Sequence, residues 1–224
     1  MRRFFLFFVF MLTLSQVNAI AQDTGDTKPM WGIKAAFDIN IPGKWHANGE
    51  SVKMYEHGFG GTVGALCNIY LGHDFYLEPG ASFFYDTYSC GDITLEDSDY
   101  SRFTIRPTIY KTGLRVPVVA GYTFDITDRF MMSVFTGPEV NYVIKGGIRG
   151  EYNNSNEEDL IESFNPYGEY GMHRKLDCAW KIGLAFPTDY VTLTVDAAIG
   201  ITDVCKNDIS MRENRVSIGL AHYF

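Results

Sequence analysis

Beyond its first residues the chain lacks any stretch approaching 18 uninterrupted apolar residues. That excludes a helical membrane protein. Cysteine is scarce, with four in 224 residues (Cys67, Cys90, Cys178 and Cys205). No two of them form a CxxC pair, and their spacing matches no zinc pattern. Basic residues are outnumbered, 19 against 27 acidic, with a pI near 5.1. So acidic a chain has no electrostatic footprint for nucleic acid, and none is expected as a partner. Five histidines and scattered serines form no recognisable hydrolase motif. No catalytic, cofactor-binding or metal-binding residue is assigned, no cofactor is expected, and the chain reads as a non-enzyme with an envelope-structural or surface-interaction role.

What is present begins with Met1-Arg2-Arg3, the apolar run Phe4 to Leu14, and Ser15 to Gln22. A basic start, about ten apolar residues and a small-residue exit are the parts of a secretory signal peptide. Ala19-Ile20-Ala21 predicts cleavage before Gln22, with a cut after Ala19 as the alternative. The apolar run is too short to span about 30 Å of hydrocarbon as a helix. The expected organisation is a leader over 1–21, a short periplasmic lead-in over 22–29 and one domain over 30–224. Losing Arg2 and Arg3 leaves 17 basic residues against 27 acidic. Export permits disulfides. Cys90 and Cys205 fall in expected loops on one side, and pairing and four free thiols both remain open.

Nearly all of the remaining chain alternates with period two. Eight runs start at Trp31, Phe59, Phe75, Leu114, Phe130, Leu176, Val191 and Val216. Each is about ten residues, the length a tilted strand needs to cross a bilayer. The apolar parity of Phe103 to Ile109 is opposite to that of Leu114 to Phe124, which predicts a bulge or a register break near Pro107. Orientation follows from volume. An eight-stranded barrel has an interior just wide enough for its side chains. One face is rich in Phe, Leu, Ile, Tyr and Trp and would overfill it. The other is Gly, Ser, Thr, Asn and a few charges, and fits. The apolar face therefore looks outward, and an eight-stranded antiparallel up-and-down transmembrane β-barrel is predicted, all-β. A soluble lipocalin-like barrel holding an apolar ligand is the rival.

Connections alternate tight (72–74, 125–128, 187–189) and long (40–57, 86–101, 146–173, 203–214), as in outer-membrane barrels. Trp31, Phe75, Tyr122, Phe124, Phe130, Phe186, Tyr190 and Phe224 fall on the tight-turn side, the pattern of an interfacial girdle. A lipid bilayer bearing lipopolysaccharide is then the expected surrounding.

Three segments carry a family resemblance: Leu114 to Phe124 (LRVPVVAGYTF) with its central Pro117, Val134 to Tyr142 with Gly137-Pro138, and Asn214 to Phe224. They resemble the small outer-membrane β-barrel family common in Bacteroidetes, related to PorT-like and more distantly to OmpX-like barrels, over about residues 30–224. That family often has an acidic residue before the strand's Pro, where this chain has Arg115. The resemblance implies fold and location, and little about activity. Phe224 resembles the signal read by the outer-membrane assembly machinery, although His222 is less apolar than that pattern prefers.

By parity, Lys34, Glu78, Arg115, Glu139, Lys145, Asp177, Lys181, Asp196 and Arg215 face the lumen. They read as an ion-pair plug, since isolated charges in a narrow interior are costly. A narrow, porin-like pore is the rival. The third long loop holds Glu151, Glu157, Glu158, Asp159, Glu162 and Glu169 but lacks calcium-loop spacing, and reads as a solvated acidic surface open to an extracellular partner. His57 and His173 fall near the outer rim, where a lipid-modifying enzyme would carry its catalytic groups.

Overall fold

The computed structural model describes residues 28–47, 49–91, 93–96, 102–127, 130–152, 160–206 and 209–224. The proposed leader over 1–21 lies outside them. In chain order the strands are β1 (Met30–Pro42), β2 (Trp45–Ala47), β3 (Glu50–Val52), β4 (Gly58–Gly72), β5 (Phe75–Ser89) and β6 (Ile93–Glu96). They continue with β7 (Arg102–Thr127), β8 (Phe130–Tyr152), β9 (Leu160–Phe164), β10 (Leu176–Pro187), β11 (Thr192–Gly200) and β12 (Glu213–Tyr223).

Eight of these close a ring in the order β7-β5-β4-β1-β12-β11-β10-β8, with β8 pairing back to β7. All the ring pairs are antiparallel, and β1 meets β12 from Gly32↔Tyr223 to Pro42↔Glu213. The fold is an eight-stranded up-and-down β-barrel. The β4–β5 turn is tight enough to hold Gly72, His73 and Asp74 at positive φ, a region glycine enters freely and most residues do not.

Facing follows the pleat. Trp31, Phe37, Val63 and Phe83 are 52–62% exposed, whereas Asp38, Asp86 and Glu139 are 1% exposed. An apolar outer surface around a charged interior inverts a soluble barrel and matches a membrane one. On β10 the outward set runs from Leu176 through Trp180, Ile182 and Leu184 towards Phe186. Ten steps at about 3.4 Å, tilted about 40°, cover about 26 Å, the height of such a wall's apolar band.

Two expectations need correction. β7 shows neither a bulge nor a register break near Pro107. It pairs with β5 in one register from Ser82↔Arg115 to Ser89↔Thr108. Ile109 therefore faces inward and packs in an apolar cluster at the outer mouth, so the apparent change of parity is a lumen that turns apolar. The irregularity lies on the facing strand, where Thr112 pairs with Lys145 but Gly113 pairs with Val143. Ile144 is the extra residue of a β-bulge, and both Ile144 and Lys145 are exposed. The long segments after Tyr85 and Lys145 also continue as strand, and β6-β7-β8-β9 form a sheet that rises beyond the wall.

Candidate functional site

The alternation of Lys34, Ala36 and Asp38 on β1 aims each side chain inward, and the other strands do likewise. Together they build one chain of alternating charge across the lumen. Lys34 lies 3.2 Å from Asp196 of β11, and Asp196 lies 2.9 Å from Lys181 of β10. Lys181 lies 3.7 Å from Glu139 of β8, whose two oxygens accept from one Arg215 nitrogen at 2.7 and 2.9 Å. Arg215 of β12 lies 3.8 Å from Asp38, and Asp38 lies 2.6 Å from Arg115 of β7. Arg115 ends the chain on Asp86 of β5 at 2.5 Å. β4 adds the Thr62 hydroxyl, which donates to Asp38 and accepts from Arg115. Every wall strand thus contributes to one network. Charges buried this deeply are tolerated when each has a partner.

Around this chain the lumen holds little space. A cavity of about 60 Å³ lies among Tyr76, Glu78 and Tyr223 on the tight-turn side. A second, about 20 Å³, lies among Asp86, Lys111, Asn141 and Glu213. These volumes suit a few waters. Glu78 accepts from Tyr223 at 2.7 Å, and Asp177 accepts from Asn141 at 2.8 Å.

The outer mouth is closed by loops that fold inward. Tyr55, Tyr88, Ile109, Val204, Cys205 and Met211 form a buried cluster. His173, 1% exposed, shares a hydrogen bond between Nε2 and the Tyr55 hydroxyl at 3.1 Å. The Tyr167 ring lies 5.2 Å from the imidazole, and the Tyr88 and Tyr167 hydroxyls are 3.0 Å apart. Beneath them Tyr88 donates to Glu213 at 3.2 Å, and Lys111 pairs with Glu213. Burial holds the His173 imidazole down at about 4 and pushes the Cys205 thiol up to about 12. His173 is therefore neutral near pH 7. His57, its expected companion at the rim, is exposed and away from this cluster's hydrogen bonds.

Of the nine residues assigned to the lumen by parity, Lys34, Arg115, Glu139, Lys181, Asp196 and Arg215 stand in the charge chain, and Glu78 and Asp177 line its cavities. Lys145 does not face the lumen. The bulge at Ile144 turns it outward, as bulges re-aim side chains. The parity reading placed Asp38 inward without singling it out. It missed Asp86, Lys111 and Glu213 because they stand where strands were taken to have ended. Their signal was an inward charge one to three residues beyond an assigned run. All four cysteines are free, and Cys90 and Cys205 pack on the same mouth cluster. Acidic residues 157–159 lie outside the described residues.

A closed eight-stranded wall with an apolar outer band, an aromatic rim at the tight turns and long connections opposite is outer-membrane architecture. The chain is a small outer-membrane β-barrel.

No protein-family model matches the chain, and no curated protein does. Solved structures with a similar course include Ail, the attachment invasion locus protein of Yersinia pestis, in complex with the heparin analogue sucrose octasulfate. It shows 12% identity and a TM-score of 0.40, over 88% of this chain and 100% of that one. Neisserial surface protein A shows 13% identity and a TM-score of 0.43 over the same shares. OprG from Pseudomonas aeruginosa shows 9% identity and a TM-score of 0.40, over 88% and 95%. At such values the likeness adds nothing about what this chain binds.

Proposed function

We propose that this barrel is a non-enzymatic surface protein whose wall is a rigid mount and whose extracellular sheet contacts partners outside the cell. The observation that carries the proposal is that β6 and β9 end the sheet, each with a single strand neighbour among the described residues. An unpaired edge offers a row of backbone donors and acceptors to another strand. The flanking sequence is acidic, with Glu96, Asp97 and Asp99 beside β6 and Glu157 to Asp159 and Glu162 at β9. The favoured partner is an extended, basic polypeptide segment. Loops on a rigid scaffold are where such contacts are made. Cleavage before Gln22, recognition of Phe224 by the assembly machinery, and membership of the Bacteroidetes PorT-like group belong to the same proposal.

The test is surface crosslinking on intact cells, comparing the native chain with Thr94→Pro and Leu160→Pro variants, whose amides face away from β7 and β8. Proline removes an edge donor and leaves the wall untouched. Loss of crosslinked partners with an unchanged heat-shift on gels supports strand addition. Retention of every partner in both variants sinks it.

A further inference from the structure

The part of the lumen nearest the tight turns differs from the rest in its charge balance. Along the chain of charges each cation faces a carboxylate, from Lys34 and Asp196 to Arg115 and Asp86. Glu78 stands outside that pairing. It accepts from the Tyr223 hydroxyl at 2.7 Å and from the Asn68 amide at 3.4 Å, both at Oε2. Among the described residues no cation comes within ion-pair reach of its carboxylate. Lys34, the cation at that end of the chain, is held 3.2 Å from Asp196 instead. A carboxylate in so narrow an interior is costly without a counter-charge.

Beside Glu78 lies the lumen cavity of about 60 Å³. It exists because inward positions of β1, β4 and β5 are small, at Ala36, Gly64, Gly80 and Ser82. Part of its wall is a buried apolar cluster of Tyr76, Val119, Phe135 and Ala185. Tyr76 lies back over Gly121, where an added Cβ would stand 2.2 Å from the ring, and so leaves the space beside Glu78 open. Another part is polar. Thr194, 5% exposed, adds to Glu78 and Tyr223 a buried hydroxyl with no hydrogen-bond partner. Glu78 and Tyr223 are half-buried, and β5 begins and β12 ends at this level. The cavity is therefore reached from the tight-turn, periplasmic rim.

We propose that this cavity binds a small organic ammonium ion from the periplasm. The ammonium group donates to Glu78 and supplies its missing counter-charge, and the carbon stem lies on the Tyr76, Val119 and Phe135 side. Aromatic faces attract a cation as well as covering its stem, and Tyr76 and Tyr223 both line the space. Size sets the upper bound. A volume of 60 Å³ is about two waters' share of the liquid, which an ammonium carrying two carbons fills. A bare inorganic cation shares the charge and leaves the apolar wall unused. The occupant is a free ion rather than a lipid headgroup, because the closed ring bars an acyl chain from the lumen. The site is independent of the extracellular contacts proposed above.

The experiment uses the barrel refolded in a non-ionic detergent and an amine-free buffer, with saturation-transfer NMR and ethylammonium as the probe. Ethanol, neutral and of similar size, and acetate, of opposite charge, are the comparisons, and sodium chloride is the competitor. The native chain transfers saturation to the carbon-bound protons of ethylammonium and to neither ethanol nor acetate. Glu78→Gln keeps an acceptor for Tyr223 and lowers the affinity about tenfold, the scale of one hydrogen bond to a charged group. Tyr223→Leu also lowers it, although the carboxylate remains. Asp189→Asn, which neutralises an exposed carboxylate at another tight turn, leaves it unchanged. Equal transfer to ethanol, or undiminished binding in Glu78→Gln, overturns the site. Displacement by an equal concentration of sodium overturns its assignment to an organic ion. Should a variant fail the heat-shift test, the ethanol, acetate and sodium arms on the native chain decide.

Discussion

Arg115 Nη1 lies 2.6 Å from Asp38 Oδ2, two groups 77 residues apart in sequence and facing each other across the lumen. The same guanidinium reaches Asp86 with its other terminal nitrogen at 2.5 Å and stacks 4.3 Å from the Phe84 ring. One cation therefore ties β1, β5 and β7 together and neutralises two carboxylates that have almost no contact with solvent.

Removing that cation alone is the severe change. Arg115→Met leaves Asp38 and Asp86 buried without it, and breaking a buried pair on one side costs about 3–5 kcal/mol. The urea midpoint of the refolded barrel falls by the corresponding amount. Adding Asp38→Asn and Asp86→Asn to the same chain recovers most of the loss, since no charge is then left unpaired. A single Arg115→Met that unfolds at the native midpoint would show that the chain of charges does not hold the wall together.

Conduction follows from the same chain. Seven ion pairs run from Lys34 to Asp86, and the spaces beside them are about 60 and 20 Å³. The native barrel is expected to be silent in a planar bilayer. Replacing Asp38, Arg115, Glu139 and Arg215 together with serine removes balanced charge and bulk, and small, steady current steps are expected. Steps of equal size from the native protein would reject the plug.

Most of the wall was legible because a barrel imposes period two on both faces, and a polar lumen makes the two parities chemically distinct. Glu139, Lys181 and Asp196 could be placed inward from neighbours such as Val140, Ile182 and Val195 alone. That contrast fails near the outer mouth. There the interior becomes apolar, so Tyr88, Ile109 and Met211 carry the wrong signature for inward residues. The bulge at Ile144 was illegible for a different reason. Its cause lies across the ladder, where Gly113 lets the Tyr142 carbonyl approach, and no local pattern around Lys145 records it. The inward fold of the outer loops was likewise hidden, because Tyr55, Tyr167 and His173 come from segments distant in sequence and meet only through the closed ring.

The mouth seal responds to acid with a definite sign. Burial lowers His173 from the ordinary 6.5 to about 4, so the opened mouth takes up a proton before the closed one does. The closed state keeps its full advantage above about pH 6.5 and loses it as pH falls towards 4, roughly 3 kcal/mol over that window. The groups facing the ring are Tyr55, Tyr167 and Cys205, with Glu213, Lys111 and Lys206 acting through space. Of these the imidazole is the one expected to change charge within that window. Protection factors at the His173, Lys206 and Ser210 amides, which correct exchange for its base-catalysed dependence on pH, are expected to fall between pH 6.5 and 4. In a His173→Phe variant the fall disappears. Protection factors that are flat with pH in the native chain would contradict the buried, neutral imidazole.

Gly113 is the glycine whose replacement tests the wall most directly. A Cβ built there would stand 2.0 Å from the Tyr142 carbonyl oxygen and 2.9 Å from the Phe84 ring. The first contact is with backbone and cannot be relieved by turning a side chain. Gly113→Ala must therefore push β7 and β8 apart beside the bulge, at the point where Phe84 supports Arg115. Overpacking of this kind costs about 1–3 kcal/mol. The expected result is a lower urea midpoint with the heat-shift retained, together with faster amide exchange at Val143 and Tyr142. Gly91→Ala is the control, since a Cβ there meets nothing within 4 Å, and it should leave both readings unchanged. If Gly113→Ala is as stable as the native chain, the close approach of Tyr142 is wrong, and with it the register that turns Lys145 to the outside.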